Sequence, residues 1–600
     1  YCVDGLRDIG FHPKLSIYRV SGTIRITEAS IGHCGIQYLN NIISRLSYSP
    51  TQTPTPIMRL TLVLLGLLSC LTLTPEAHST QATVDVSPAP ILFATWAHPG
   101  EFNAIFSVAQ ELSNTAPPYP IWFATTEERR AEVERAGMWF VSLGNESSSI
   151  DLNDQARLKD MYNGGPGTIS ALIDVLALIF EPRFYLNLHG GLVKAVEERR
   201  PRLMVVDSAM WIAYDVANNN NLPVAIIMPI FPDIWYSATN PTILVASGTG
   251  NSPRHFHFFD LLQAFKRKYV APLFVIKSVL FDGLGKDKLA LTGEFDIGSK
   301  ILGRARAIIS TCVWGIEYPF MHGPNLHLVG AIISPRGNDK DKTSDTIIEW
   351  INSADQRVIL ISLGSAARIP PVQLANLASA LVETVTEQKV RVLWKLPRDQ
   401  HDELLALIPS ELIASSTVRV VSWIPDILLA LAHPLVTVNI NHGGANSFNE
   451  AVYYGTPQLI LPYWSDCYDV AERAVDAGVG LAVRDGRHFE REEVKQFIRR
   501  LLLEKSFGLR AAFWGDKMRR AGGARRGAQI LREVLEDLEL EDVYGVEDAE
   551  VTTVKVIEDP EYVAGLWAVW KVVTLMVRSV AYGLRKVIQR LVDSRKIKTN

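Results

Sequence analysis

The sequence predicts an α/β chain of two domains, each a doubly wound parallel sheet, facing a central cleft. Three observations predict it. Two stretches open in the same way, short apolar strands alternate with helical patterns after each opening, and a polar break divides the series.

The first opening is PILFATWAHPGEFNAIFSVAQEL (90–112), an apolar strand, a glycine-containing loop and an amphipathic helix. The second, RVILISLGSAARIPPVQLANLASALVETV (357–385), repeats that order. In its helix, Leu374, Leu377, Ala378, Leu381, Val382 and Val385 share one face. Each opening looks like the first unit of a doubly wound sheet. Further buried strands are expected at Leu203–Val206, Val224–Ile227 and Ala307–Ser310, then at Val390–Trp394, Val418–Val421, Val436–Ile440 and Gln458–Leu461. The break is ISPRGNDKDKTSDT (333–346), polar and charged as a linker should be. The first domain is therefore expected over 89–332 and the second over 347–520. A helix and an acidic linker follow over 521–560, and a last helix over 561–594.

Composition sets outer limits. At 600 residues the chain is too long for one core. It is 48% hydrophobic and 21% charged, as soluble globular proteins are. A net charge of −4 gives no sign of a nucleic-acid binder, which usually shows a basic face. Cys2, Cys34, Cys70, Cys312 and Cys467 have neither metal-ligand spacing nor a disulfide framework, so free, buried cysteines are expected.

The two ends carry targeting features. Met58-Arg59 precedes the apolar stretch LTLVLLGLLSCLTL (60–73), followed by Pro75 and small residues at Ala77 and Ser79. This is the pattern of a signal peptide over 58–79, with residues 1–57 a non-native or disordered leader. Asn145-Glu146-Ser147 is a glycosylation sequon suited to the same compartment. The secretory pathway is the expected location, in the lumen of the endoplasmic reticulum, at its membrane or secreted. In the last helix Lys571, Arg578 and Arg585 share one face, and Trp567, Trp570, Leu575, Met576 and Val580 supply an apolar surface. Such a helix suits contact with a membrane surface. A span, or a helix packed on the protein, are the alternatives.

The chemistry concentrates in VSWIPDILLALAHPLVTVNINHGGANSFNEAVYYGTPQLILPYWSDC (421–467). A β-branched strand runs into His442-Gly443-Gly444, then into a helix from Asn446-Ser447 to Tyr454. Strand, glycine turn and helix start are how a backbone offers free N–H groups to a phosphate. His442, Asn446 and Ser447 add donors there. Ser447 and Glu450, three apart, also fit a helix capping box.

This segment resembles the signature of the UDP-dependent glycosyltransferases, the family of plant small-molecule glucosyltransferases and animal UDP-glucuronosyltransferases. The matching positions are Trp423-x-Pro425, His433-Pro434, His442-x-Gly444-x-Asn446-Ser447-x-x-Glu450, Gly455-x-Pro457 and Pro462-x-x-x-Asp466. The resemblance implies two Rossmann-like domains of the GT-B type and a UDP-sugar donor. It implies that Trp423 stacks on uracil while the Ile424 backbone pairs with the base edge. Glu450 would hold the ribose hydroxyls. His442, Gly444, Asn446, Ser447 and Ser365 would meet the phosphates, and Asp466 the sugar hydroxyls. No metal is implied, because helix dipole and donors neutralise the leaving diphosphate. Asp426 and Cys467 depart from the pattern, as does one extra residue between Pro425 and His433, which bears on the sugar more than on the nucleotide.

The family's catalytic base is a His steadied by an Asp. Asp207, ending the strand in LMVVDSAMW, matches the Asp, with a polar cap on the next helix as the alternative. Glu101 aligns with the His, and His98 lies three residues earlier, so both are candidates. An imidazole is better matched to an alcohol than a carboxylate is. Trp96, Phe102, Met210, Trp211, Phe231 and Trp235 are core residues singly. Together they point to a small hydrophobic acceptor such as a sterol, lipid or xenobiotic. The reading is an inverting hexosyltransferase. The alternative is an inactive UDP-sugar or lipid-binding protein with a degraded acceptor side.

Overall fold

Ile91-Leu92-Phe93-Ala94 is buried at every position, and a strand covered on both faces needs an apolar residue at each. Leu203–Asp207 and Val358–Ser362 are buried throughout in the same way, although each closes on a polar residue. The computed structural model describes residues 16–20, 23–27, 90–115, 118–145, 182–236, 250, 252–254, 299–333, 342–364, 367–464 and 466–544. They fall into two units, Tyr1–Ser87 and Pro88–Asn600.

In the first unit, β1 (Ser16–Val20) pairs antiparallel with β2 (Thr23–Thr27). The sequence shows no sustained periodicity there, because the strands are short. Ile17, Val20, Thr23, Ile24, Ile26 and Thr27 are β-branched and favour pairing all the same. The expected signal peptide and the last helix lie outside the described residues.

The second unit holds two sheets, parallel throughout. The first contains β3 (Ile91–Ala94), β4 (Ile121–Thr125), β5 (Trp139–Ser142), β6 (Leu203–Asp207), β7 (Val224–Met228), β8 (Ala307–Ser310) and β9 (Leu326–Leu328), in the order β5-β4-β3-β6-β7-β8-β9. The second contains β10 (Val358–Ser362), β11 (Arg391–Lys395), β12 (Val418–Val421), β13 (Val436–Asn441), β14 (Gln458–Ile460) and β15 (Gly480–Ala482), in the order β12-β11-β10-β13-β14-β15. In each sheet the strand order reverses beside the first strand, at β3/β6 and at β10/β13. Loops leaving the carboxyl ends there splay apart and open a crevice.

Helix α1 (Pro99–Ser113) follows β3, α2 (Trp211–Asn219) follows β6, and α3 (Pro371–Gln388) follows β10. Leu374, Leu377, Ala378, Leu381 and Val385 of α3 are buried on the expected face. Helix α4 (Ala445–Tyr453) follows β13, and α5 (Asp466–Ala477) follows β14. The final described helix, α6 (Gly523–Tyr544), returns to the first domain. Its Ala528, Leu531 and Leu535 bury with Val108 and Leu112 of α1 and with Ile309. Each Leu, Ile or Val among them contributes roughly 1.5–3 kcal/mol when fully buried. The start of the acidic run is part of this helix, because its carboxylates have partners. Glu541 pairs with Arg306 at 2.5 Å and Asp542 with Arg202 at 2.5 Å. Among the described residues no helix is long and apolar enough to cross a membrane. Cys312 and Cys467 are free and buried.

Arg473 of α5 ties the domains together. It is 1% exposed, and its guanidinium meets Asp233 at 2.7 Å and Glu317 at 2.8 Å, both from the first domain. The rings of Phe231 and Tyr318 lie 4.4 and 4.7 Å from it. Removing one partner of a buried ion pair leaves the others charged in a dry site. Arg473→Ala is therefore expected to cost about 3–5 kcal/mol in denaturant unfolding. A loss under about 1 kcal/mol, the range of an exposed pair, would contradict the role given to it.

Candidate active site

The glycine turn after β13 is built by its neighbours. The Asn441 Oδ1 accepts from the Gly443 N–H at 2.9 Å, and its amide donates to Gln458 Oε1 at 2.8 Å. Gly443 has φ +85°, and a Cβ there would stand 2.8 Å from the Cys467 carbonyl oxygen and 2.9 Å from Ile460. Only glycine fits both demands. Helix α4 starts at Ala445 with Gly444 as its N-cap and no side-chain cap. Ser447 is thus the third helical residue and the capping box does not form. The first N–H groups of α4, with Asn446 and Ser447 among them, sit at the positive end of the helix.

His442 lies beside this helix start. Burial, and next the charge of Lys395, push its imidazole down to about 4, so it is neutral at pH 7. Among the described residues its buried Nδ1 has no hydrogen-bond partner. Trp423 is 59% exposed, whereas Ile424 beside it is buried. The Lys395 Nζ lies 4.7 Å from the Trp423 ring centroid. Burial lowers the pKa of Lys395, and Glu450 acts the other way. Glu450 is pushed up to about 7, by burial first, with Lys395 opposing. Lys395 thus joins Trp423, His442 and Glu450 in one electrostatic group. Sequence reading missed it. Its only signal is its place at the carboxyl end of β11, next to the switch-point strand β10.

Asp426, which departs from the family pattern, has a local task. Its carboxylate accepts from the Leu429 N–H at 2.9 Å and caps the helix Ile427–Leu431. Ser365 lies outside the described residues. His433, Pro434, Gly455 and Pro457 line a cavity of about 340 Å³ together with Arg357 and Lys505. That cavity sits at the amino ends of β10 and β13, away from the crevice.

On the first domain, His98 caps α1 and Glu101 stands in its first turn. The His98 Nδ1 lies 3.0 Å from Glu101 Oε2. Asp207 is fully buried at the end of β6. Its carboxyl accepts from the Thr95 hydroxyl at 3.2 Å and the Ala209 N–H at 2.7 Å. It bonds to the turn before α2, whose N-cap is Met210. Burial, and next the charge of Glu101, push Asp207 up to about 8. Asp466, the first residue of α5, is pushed up to about 7 by burial, then by Asp469, with a smaller push from Glu101. Glu101 is thus within electrostatic reach of carboxyls on both domains.

One hydrogen bond closes the group. The Asn446 amide donates to the Gly100 carbonyl at 2.7 Å, across 346 positions of sequence. It joins the glycine turn of one domain to the His98–Glu101 turn of the other, and no pattern in the sequence announces it. Trp96, Phe102, Met210, Trp211 and Phe231 are buried in the hydrophobic cores, and the Trp235 side chain is outside the described residues. Among the described residues no group of 3 or more His, Cys, Asp or Glu is placed to hold a metal ion.

Residues 287–509 match the profile of the family described as UDP-glucoronosyl and UDP-glucosyl transferase. The glycosyltransferase sdnJ of Sordaria araneosa is 30% identical over 352 residues, 53% of this chain and 64% of that protein. Erythritol-mannosyl-transferase 1 of Mycosarcoma maydis is 28% identical over 233 residues, 38% of this chain and 36% of that protein. UDP-glucuronosyltransferase 2B16 of Oryctolagus cuniculus is 28% identical over 171 residues, 28% of this chain and 30% of that protein. The matched part spans less than two thirds of each relative's own length. In three dimensions the chain resembles the glycosyltransferase of kitacinnamycin, with TM-score 0.53 and 17% identity over 74% of this chain and 99% of that one. It also resembles the calicheamicin glycosyltransferase, with TM-score 0.51 and 19% identity over 75% and 99%. At these identities the likeness is one of fold, and the fold is GT-B.

The electrostatics of the turn can be checked directly. A histidine-labelled NMR titration should show the His442 ring neutral from pH 8 to 5. A His442 signal titrating near its ordinary ~6.5 would contradict the dry, Lys395-facing position.

Proposed function

We propose that this chain, a member of the UDP-glycosyltransferase family, moves a hexosyl group from a UDP-sugar to a hydroxyl of a small hydrophobic acceptor, with inversion. One observation carries the reading. The Asn446–Gly100 hydrogen bond of 2.7 Å brings the phosphate-type helix start of one domain to the His98–Glu101 turn of the other.

In this reading uracil stacks on the exposed face of Trp423, and the Ile424 backbone pairs with the base edge. Glu450 accepts from the ribose hydroxyls, and Lys395 steadies its carboxylate. The diphosphate rests on the start of α4, held by the Gly444 backbone and by the side chains of His442, Asn446, Ser447 and Ser365. A neutral His442 donates one hydrogen bond without carrying a charge. Asp466 meets the sugar hydroxyls. No metal is invoked, since the helix start and these donors stabilise the departing UDP. The acceptor enters from the first domain, where His98 and Glu101 are the candidates for its proton and Asp207 stands behind them. A sterol, lipid or xenobiotic alcohol is the class to try first. Residues 58–79 as a signal peptide and 561–594 as a membrane-surface helix would put the reaction in the secretory pathway.

A second reading is a UDP-sugar-binding or lipid-binding protein without turnover, favoured by Glu101 where the family carries its His. Release of UDP from UDP-glucose and related UDP-sugars, with a pool of hydrophobic alcohols, decides between them. Acceptor-dependent release is expected. Binding of UDP with no release for any donor or acceptor would favour the second reading.

Glu450 gives the nucleotide side its own test. With a pKa near 7, it must ionise to accept from both ribose hydroxyls with both oxygens. Uridine, which carries no phosphate to titrate, should bind progressively more weakly as pH falls below 7. Glu450→Gln should bind weakly and without that pH dependence. An unchanged profile in the variant would remove Glu450 from the ribose site. Trp423→Ala should cost about 1–3 kcal/mol of uridine affinity, the range of base stacking on an aromatic side chain.

A further inference from the structure

The first turn of α1 holds more than two alternative bases. His98 is extended, with φ −62° and ψ 133°, and Pro99 fixes the entry into the helix. Gly100 leaves the space the ring occupies, since a Cβ there would stand 3.3 Å from His98 Nδ1 and 3.7 Å from Cε1. The ring therefore lies against the turn with Nδ1 inward. That nitrogen has two neighbours, the Glu101 Oε2 at 3.0 Å and the Gly100 N–H at 3.3 Å. It has one site and cannot both donate and accept. The shorter contact is to a carboxylate, and a charge-assisted bond outweighs a long neutral one. The proton therefore belongs on Nδ1 and the lone pair on Nε2. No described residue hydrogen-bonds to Nε2, and the His98 side chain is 36% exposed.

The family's Asp position does not serve this ring. Both oxygens of Asp207 have partners in their own strand ends, Thr95 and Ala209. We propose that His98 and Glu101 act as one catalytic unit, in which His98 Nε2 takes the acceptor proton and Glu101 is the positioning residue that fixes the ring through Nδ1.

The inference rests on the transferase reading for its substrate. The acceptor O–H bond breaks and its proton goes to Nε2. The acceptor oxygen bonds to the anomeric carbon, and the bond from that carbon to the β-phosphate oxygen breaks, its electron pair leaving with UDP. The Glu101 carboxylate offsets the charge of the imidazolium that forms. Its neighbours tune the ring. Burial lowers the pKa of His98, the Glu101 bond and charge raise it, Arg129 lowers it and Glu128 raises it, and the net shift is upward. Glu101 in turn faces Asp207 and Asp466. Burial, and next the charge of Glu101, hold Asp207 toward its neutral form, so Glu101 is the carboxylate that answers the His98 charge.

The test uses the full chain with Glu101→Gln, Glu101→Asp, His98→Asn and the double variant His98→Asn/Glu101→Gln. Histidine-selective NMR reads the ring without any turnover. One signal should titrate above ~6.5, vanish in His98→Asn, move down in Glu101→Gln and partly recover in Glu101→Asp. A His98 signal unmoved by Glu101→Gln overturns the pairing. In turnover, His98→Asn should lose about 10²–10⁴-fold in kcat and the acid limb of the pH profile. Glu101→Gln should shift that limb to lower pH and lower kcat with little change in KM. The double variant should be no slower than His98→Asn alone. A His98→Asn variant that keeps its turnover while Glu101→Gln loses it would make Glu101 the base and overturn the assignment. A wild-type chain that binds UDP but turns over no acceptor would sink the transferase reading. The NMR arm would still judge the pairing.

Discussion

Arg473 on α5 is a cation that the structure removes almost wholly from water. An unpaired guanidinium could not stay there. It stays because Asp233 and Glu317 meet it from the other domain, while Phe231 and Tyr318 cover its faces. The helix that carries it begins at Asp466, a residue of the proposed sugar site. The contact that holds the domains together and the wall of the crevice are therefore the same element. Asn449 reinforces the junction with a 3.3 Å bond to Thr311, one turn along α4 from the Asn446–Gly100 bond.

The position of the crevice follows from strand order. Both sheets reverse beside their first strand, and the loops that bear the candidate residues leave the carboxyl ends at those points. Burial is the largest influence on the titration of the groups there. Asp207, Glu450 and Asp466 are all raised, while His442 is lowered. A fixed array of partly buried groups acts on developing charge more strongly than water does. UDP leaving with a new negative charge would meet a neutral imidazole, a helix start and a lysine.

Much of this was legible in the sequence, for a physical reason. Parallel strands are buried on both faces, so VILIS and LMVVD stand out as apolar runs with one polar residue each. The spacing from Trp423 to Asp466 is set by two strands, two short helices and the tight turn between β13 and α4. What escaped reading depends on distant partners. Lys395 looks like the end of any strand until Trp423 and Glu450 are brought to it. Arg473 looks like a solvated helix residue until the first domain covers it. The pair Ser447 and Glu450 fits a capping box, yet α4 starts two residues earlier, at Ala445, because the Asn441 side chain and Gly443 set the turn. Asp426 departs from the pattern the segment resembles, and its carboxylate caps the helix Ile427–Leu431 instead. The acidic run looked like a linker, but Arg202 and Arg306 pair with its start and keep it helical to Tyr544. The hairpin at residues 16–27 was missed because two five-residue strands are too short to show a period.

The central claim is that the nucleotide lies between Trp423 and the start of α4. A crystal structure of the full chain with UDP tests it most directly. The account predicts uracil stacked on Trp423, ribose hydroxyls on Glu450 and the β-phosphate at the first N–H groups of α4 beside His442. UDP bound elsewhere, for instance in the 340 Å³ cavity lined by Arg357, His433 and Lys505, with Trp423 and Glu450 untouched, would contradict it.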